Sequence, residues 1–185
     1  MTSLRLIVGA AGLAALVACA HVEPPPSTAV MPPGALNTNG DIDVRSLDVA
    51  AYAFAHAIRN NPGKAADAIA ALDYMGGELN TNPRWIGMDP LTRLQMLQAR
   101  ETVRAEIGIS PTASSQAVVD TMLALAQAYQ TNNEPTVQQL LANPIFTVPP
   151  AEVEARLNNV PYNAGINNVT MRADELLSNF NASGR

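Results

Sequence analysis

The chain has 185 residues, enough for one domain of ordinary size and too few for two. Hydrophobic residues make up 48% of it and charged residues only 15%, a balance that predicts a packed core rather than a disordered chain. The formal net charge of −5, with Lys64 the only lysine, argues against a nucleic-acid partner and against a basic patch for anionic lipids.

The first 18 residues have the pattern of a secretory signal. Arg5 gives the N-terminus one positive charge, and residues 6–17 then form an apolar run without a charge. This run is shorter than the ~20 residues that a helix needs to cross a bilayer. The sequence therefore predicts an export signal that is removed, rather than a retained transmembrane helix.

The end of this signal contains a short motif, Leu16-Val17-Ala18-Cys19. It resembles the lipobox of bacterial lipoproteins, and the resemblance implies cleavage before Cys19 and lipidation of that cysteine. Two or three acyl chains would hold the protein stably at a membrane. Cys19 is the only cysteine, so a disulfide within the chain cannot explain it. The alternative is an ordinary signal peptide, with cleavage after Ala18 or Ala20.

The residue after the cysteine bears on localisation. Ala20 stands where an aspartate would, by the same resemblance, imply retention at the inner membrane of a Gram-negative host. The resemblance therefore implies an anchor in the outer membrane facing the periplasm, if the host is Gram-negative.

Residues 19–40 are expected to form a lipidated, proline-rich tether. Prolines, glycines and asparagines dominate this stretch, which has no hydrophobic period. Extended at ~3.1 Å per residue, it would reach roughly 60 Å. We expect a disordered spacer that holds the domain away from the membrane.

Residues 41–185 read as a single helical domain. Apolar segments with helical spacing are separated by Asn-Pro, Gly-Gly, Asp-Pro, Ser-Pro and Glu-Pro signals. The sequence predicts an all-α fold, an irregular bundle of about five to seven helices after a disordered N-terminal tether. The expected helices cover about residues 44–59, 62–75, 90–107, 110–129, 135–142, 151–157 and 166–180.

The domain shows no sequence pattern of a catalytic or metal site. His56 is its only histidine, and the chain has no second thiol and no glycine-rich phosphate loop. Asp41, Asp43 and Asp48 lack the ligand spacing of a calcium loop. We therefore expect no catalytic residue, no metal ligand and no cofactor.

Two places are candidates for contact with a partner. Arg84 and Trp85 lie in a predicted loop, and these residue types are enriched in binding hot spots. The alternative for Trp85 is that it covers the core beneath that loop. Tyr162 lies in an asparagine-rich run that could bind protein or glycan, although such residues also form turns and helix caps.

Three functions follow from these features. The first is a non-catalytic, lipid-anchored envelope protein that binds or positions another envelope component, either an envelope protein or the cell wall. The second is a carrier of a hydrophobic ligand in an interhelical cavity lined by Met75, Met96, Met122 or Met171. The third is a cell-wall-acting enzyme, whose sign would be a deep cleft with convergent acidic residues.

Overall fold

A computed structural model describes residues 26–183, with side chains described as far as residue 179. Within this range the chain is an all-α bundle with a two-stranded sheet, which confirms the predicted fold class. The elements in chain order are α1 (Ile42–Phe54), β1 (Ile58–Arg59), α2 (Pro62–Thr81), α3 (Pro90–Ile107), α4 (Ser115–Gln130), α5 (Glu134–Leu141), α6 (Pro150–Leu157), β2 (Asn159–Val160) and α7 (Ala164–Ser183).

Helix α2 is the centre of the bundle. It packs against α1, α3 and α4. Helix α7 packs against α1 and α3. Five of the fourteen buried residues of α2 are alanines, whose small side chains let neighbouring helices approach closely. Among the described residues, no helix is long and apolar enough to cross a membrane.

Three helices start at the Asn-Pro, Asp-Pro and Glu-Pro pairs that the sequence marks as signals, each with an asparagine or aspartate as its cap. The side chain of Asn61 accepts a hydrogen bond from the Lys64 amide at 2.9 Å, with Pro62 in the first turn of α2. Asp89 and Asn133 cap α3 and α5 in the same way. In each case the side chain satisfies a backbone donor that the helix leaves unpaired.

Helix α1 is shorter than predicted. It ends at Phe54, and Ile58 then pairs with Val160 in the antiparallel sheet instead of continuing the helix. Ile58 still reaches the core at 3% exposure, as the helical spacing indicated. The chain therefore leaves the helix and forms a strand in which two β-branched residues, Ile58 and Val160, are paired. The side chain of Ile58 nevertheless stays in the core.

Two other boundaries also differ from the prediction. Gly76 and Gly77 do not end α2, which continues to Thr81, because both glycines keep helical backbone angles and serve close packing. Helix α4 begins at Ser115 rather than at residue 110, because the backbone of Ser110 donates to Ile145 in a short bridge.

The predicted tether is partly packed on the bundle. We call residues 27–37 the N-terminal strap. Ala29, Met31 and Leu36 in this strap are buried in the core, with Ala29 and Met31 each 8% exposed. The expectation of a free spacer up to residue 40 is therefore corrected for this segment. Apolar runs of two or three residues attach it to the bundle without forming a hydrophobic period.

Candidate functional site

A groove of about 1110 Å³ opens at one end of the bundle. Four helices border it: α1, the start of α2, the end of α4 and the middle of α7. The polar and aromatic side chains that line it are Arg45, Asp48, Tyr52, Asn60, Asn61, Lys64, Asp67, Tyr129, Gln130, Asn132 and Asp174.

Helical spacing explains why these side chains face the same space. Arg45, Asp48 and Tyr52 are three and four residues apart on α1, so they share one face of that helix. Lys64 and Asp67 are three apart on α2, as Met171 and Asp174 are on α7. The groove is thus the meeting point of polar stripes from several helices whose other faces form the core.

Two carboxyl groups in the groove have raised pKa values. Burial raises the pKa of Asp67 to about 6, although the charge of Arg45 opposes the shift. Burial also raises the pKa of Asp174 to about 6, with further contributions from the charge of Asp48 and a hydrogen bond to it. These carboxyl groups therefore take up protons at a higher pH than carboxyl groups in water.

Two polar atoms at the groove have unused hydrogen-bonding capacity. The hydroxyl of Tyr129 and the Oδ1 atom of Asp174 are buried and have no hydrogen-bond partner among the described residues. Burial raises the pKa of Tyr129 to about 12, so its hydroxyl stays protonated and can donate. Buried polar groups are normally paired, so these two atoms are exceptions in the packing beside the groove.

Tyr52 gives the groove an exposed aromatic surface. Its side chain is 76% exposed, and the Lys64 ammonium lies 4.5 Å from the centre of its ring. A lysine over a tyrosine ring is a cation–π contact, which also limits the positions available to the ring. Asn60 and Asn132 border the groove with φ of 52°, a left-handed conformation that asparagine tolerates better than most residues.

No match to known proteins was found. No protein-family model, curated protein or solved structure matches this chain. The groove is therefore interpreted from its own side chains.

The structure places Trp85 inside the bundle. Its ring is 1% exposed, and its indole N–H donates to Oδ2 of Asp43 at 3.2 Å. The guanidinium of Arg84 lies 4.3 Å from the ring centre and pairs with Asp41 and Asp43. Trp85 therefore covers the core, and Arg84 neutralises the buried carboxylate beside it.

Asp43 is the centre of a cluster formed with Asp41, Tyr74, Arg84 and Trp85. It is buried, and its carboxylate accepts a hydrogen bond of 2.6 Å from Tyr74 as well as those from Arg84 and Trp85. A buried carboxylate with three donors is stable where an unpaired one would be costly. These contacts give the cluster a structural role in joining α1, α2 and the loop after α2.

Tyr162 lies on a different part of the surface, between β2 and α7. It is 51% exposed, and its hydroxyl accepts a hydrogen bond from Asn167 at 3.2 Å. Tyr162 thus lies at the surface, and its contact with a partner stays a prediction. Cys19 lies outside the described residues, so its lipidation also stays a prediction.

The candidate metal and catalytic features can also be located. His56 is exposed in the turn after α1. In residues 26–183, no group of histidine, cysteine, aspartate and glutamate side chains is arranged to hold a metal ion. Sequence reasoning missed the groove, because its side chains come from four separate helices. Its only local signal was the polar face of α1, with a tyrosine four residues after Asp48.

Proposed function

We propose that the protein is a lipid-anchored component of the bacterial cell envelope that binds another envelope component without catalysing a reaction. The lipobox at Cys19 supports the anchor, and Ala20 supports an outer-membrane position facing the periplasm in a Gram-negative host. The helical domain would then be the part that meets the partner.

The groove is the observation that carries this proposal. It combines an exposed ring at Tyr52 with the polar side chains of Lys64 and Gln130 that line the same space. Binding sites typically present apolar or aromatic surface together with a few placed polar groups. Because Arg45 and Lys64 offset much of the carboxylate charge, the groove favours neither a polyanion nor a polycation. A hydroxyl-rich, nearly neutral surface such as cell-wall glycan fits this lining best.

The direct test is co-sedimentation with isolated cell-wall sacculi. We expect the chain from residue 19, carrying Cys19→Ser, to sediment with sacculi, and Tyr52→Ala to reduce the bound fraction several-fold. Tyr162→Ala is the matched control, because it removes another exposed tyrosine, one that lies outside the groove. Equal binding by all three proteins would contradict the groove as the contact site. Loss of binding only in Tyr162→Ala would show that the contact site is at Tyr162 and not in the groove.

An enzyme acting on the cell wall is the second candidate. The observation favouring it is that Asp67 and Asp174, with raised pKa values, line the same groove. A carboxyl group with a pKa near neutrality can serve as a general acid. Release of new reducing ends from sacculi, abolished by Asp67→Asn or Asp174→Asn, would support this function over the non-catalytic one.

The carrier of a hydrophobic ligand has less support. Met75, Met96 and Met122 lie in the packed core with no exposed surface. Met171 lines the groove and is 50% exposed, but the side chains around it are largely polar. The groove therefore offers a lipid little continuous apolar surface.

A further inference from the structure

The first residue of the N-terminal strap, Ser27, is hydrogen-bonded to the bundle. Its carbonyl oxygen accepts hydrogen bonds from Arg100 at 2.9 Å and from the Ser115 hydroxyl at 3.0 Å. Its own hydroxyl accepts from the Ser115 amide at 2.9 Å. Gly77 of α2 lies directly beneath the same carbonyl. Ser27 is thus held between the C-terminal part of α2, the middle of α3 and the first residue of α4.

The strap then runs along the bundle towards the groove. Val30 exchanges two hydrogen bonds with the side chain of Gln116, at 2.7 and 3.1 Å. Further on, the carbonyl of Leu36 accepts from Nε of Arg45 at 3.0 Å. Residues 32–37 lie beside Asp67, which also lines the groove. The strap therefore reaches from Ser27 to the border of the groove.

Helices α2 and α4 give this path a direction. They pack antiparallel, since Gly63 near the start of α2 faces Tyr129 near the end of α4. At the other end, Gly77 and Ser115 both contact Ser27. We call the end at Ser27 the anchor end and the end with the groove the groove end. Fourteen positions of α2 separate Gly63 from Gly77, a distance of roughly 21 Å along the helix.

We infer that the docked strap favours one orientation of the protein at the membrane, with the anchor end facing the bilayer and the groove facing away from it. This inference rests on the proposed lipid anchor at Cys19. Ser27 lies eight positions after Cys19, so even a fully extended chain places Ser27 at most roughly 29 Å from the anchored residue. Turning the groove end to the bilayer would need roughly 21 Å of that reach, the separation of the two ends, so only a largely extended chain permits the inverted orientation. A free tether up to residue 41 would allow roughly 80 Å and no preferred orientation.

The orientation specifies the kind of partner that the groove can reach. The groove lies at the end of the bundle farthest from the lipid anchor, so its ligand must extend to that height above the bilayer. This geometry fits a polymer outside the membrane, such as cell-wall glycan, and disfavours a component embedded in the same bilayer as the anchor.

Energy transfer to labelled lipid tests the orientation in the full lipidated chain. Thr112 lies in the loop before α4 at the anchor end, and Thr131 follows α4 at the groove end; both are exposed. Since the Cys19 thiol would carry lipid, Thr112→Cys or Thr131→Cys would supply the only free thiol for a fluorophore. Each labelled protein is reconstituted into phosphatidylethanolamine–phosphatidylglycerol vesicles that carry a head-group energy acceptor.

The expected result is unequal transfer. Because the two positions differ in height by roughly 20 Å, we expect transfer from residue 112 to be at least about twofold higher than from residue 131. Equal transfer, or higher transfer from residue 131, would overturn the orientation while leaving the lipid anchor intact. A protein that does not float with the vesicles would instead refute the anchor, and the orientation with it.

A strap variant shows whether docking causes the difference. Met31→Asp places a charge in a buried position and should release the strap, so transfer from the two positions should become similar. Val30→Asp is the matched control, because Val30 is its exposed neighbour and the difference should persist. If the difference survives in Met31→Asp while Val30 amide exchange shows that the strap is free, the strap does not set the orientation.

Discussion

The packing of the strap on α2 predicts an unusual effect of Gly77→Ala. A Cβ atom at this position would lie 2.6 Å from the carbonyl oxygen of Ser27 and 3.2 Å from Cα of Thr28. Both are backbone atoms, so no side-chain rotation can make room for the methyl group. We expect this variant to lift the first part of the strap away from α2.

Two opposing effects set the size of the change. Alanine in place of a glycine inside a helix stabilises the helix by about 1 kcal/mol. Against this, either the extra methyl group is forced into a packed contact, at about 1–3 kcal/mol, or the strap moves away. Movement would leave the buried guanidinium of Arg100 without the Ser27 carbonyl, at a similar cost of about 1–3 kcal/mol. We expect a net destabilisation of about 1 kcal/mol.

Gly63→Ala in the same helix is the matched control. There a Cβ would lie 3.4 Å from Cβ of Tyr129, an ordinary contact, so this variant should be stabilised by about 0.5–1 kcal/mol. Urea unfolding can be followed through Trp85, the only tryptophan and a buried one. Amide exchange at Val30 reports the strap separately. If Gly77→Ala is as stable as Gly63→Ala and Val30 exchanges slowly in both, the proposed contact is refuted.

Three further substitutions have defined outcomes. Asp73→Asn leaves the buried guanidinium of Arg104 without its carboxylate and should cost about 3–5 kcal/mol in urea unfolding; a loss below about 1 kcal/mol would contradict this. Burial raises the pKa of Asp67 to about 6, so the folded state binds this proton more tightly and stability should fall as pH rises from about 4 to 6. Because Asp67 is partly exposed, Asp67→Asn should remove only roughly 1 kcal/mol of this dependence, measured as the urea midpoint against pH; an unchanged slope would refute the assignment. Asp41→Ala removes the cap of α1 and should lower stability by about 1 kcal/mol in thermal unfolding, whereas an unchanged midpoint would show the cap to be dispensable.

The helix starts were predictable because their signals are local. An asparagine or aspartate before a proline both caps a helix and fits its first turn, so residues 61, 89 and 133–135 carried enough information by themselves. Gly76 and Gly77 were misread because glycine has two uses. It ends helices, but it also allows close approach, and here the neighbours are Arg100 and the strap. Only the tertiary contact distinguishes these cases.

The strap and the groove were not predictable for the same physical reason. Ala29, Met31 and Leu36 lie in apolar runs of two or three residues interrupted by prolines and a glycine, and nothing local shows that a surface exists to bury them. The groove side chains come from α1, α2, α4 and α7 and meet only after the helices pack. For Trp85 the sequence left two interpretations open, a partner contact and a place over the core, because nothing local shows the buried Asp43 that binds its indole N–H.

The two ends of the bundle are held together by different kinds of contact. Alanines allow close packing along α2 but specify little about how far one helix is displaced against the next. At the anchor end, polar contacts with fixed geometry supply that information. Arg104 donates to both oxygens of Asp73, at 2.6 and 2.7 Å, and to the Ser115 hydroxyl, while Arg100 joins the same hydroxyl to the strap. At the groove end, Tyr129 keeps an unpaired buried hydroxyl. We therefore expect Asp73→Asn to disturb the docking of the strap before it disturbs the groove, because the polar network fixes the end nearest the proposed anchor.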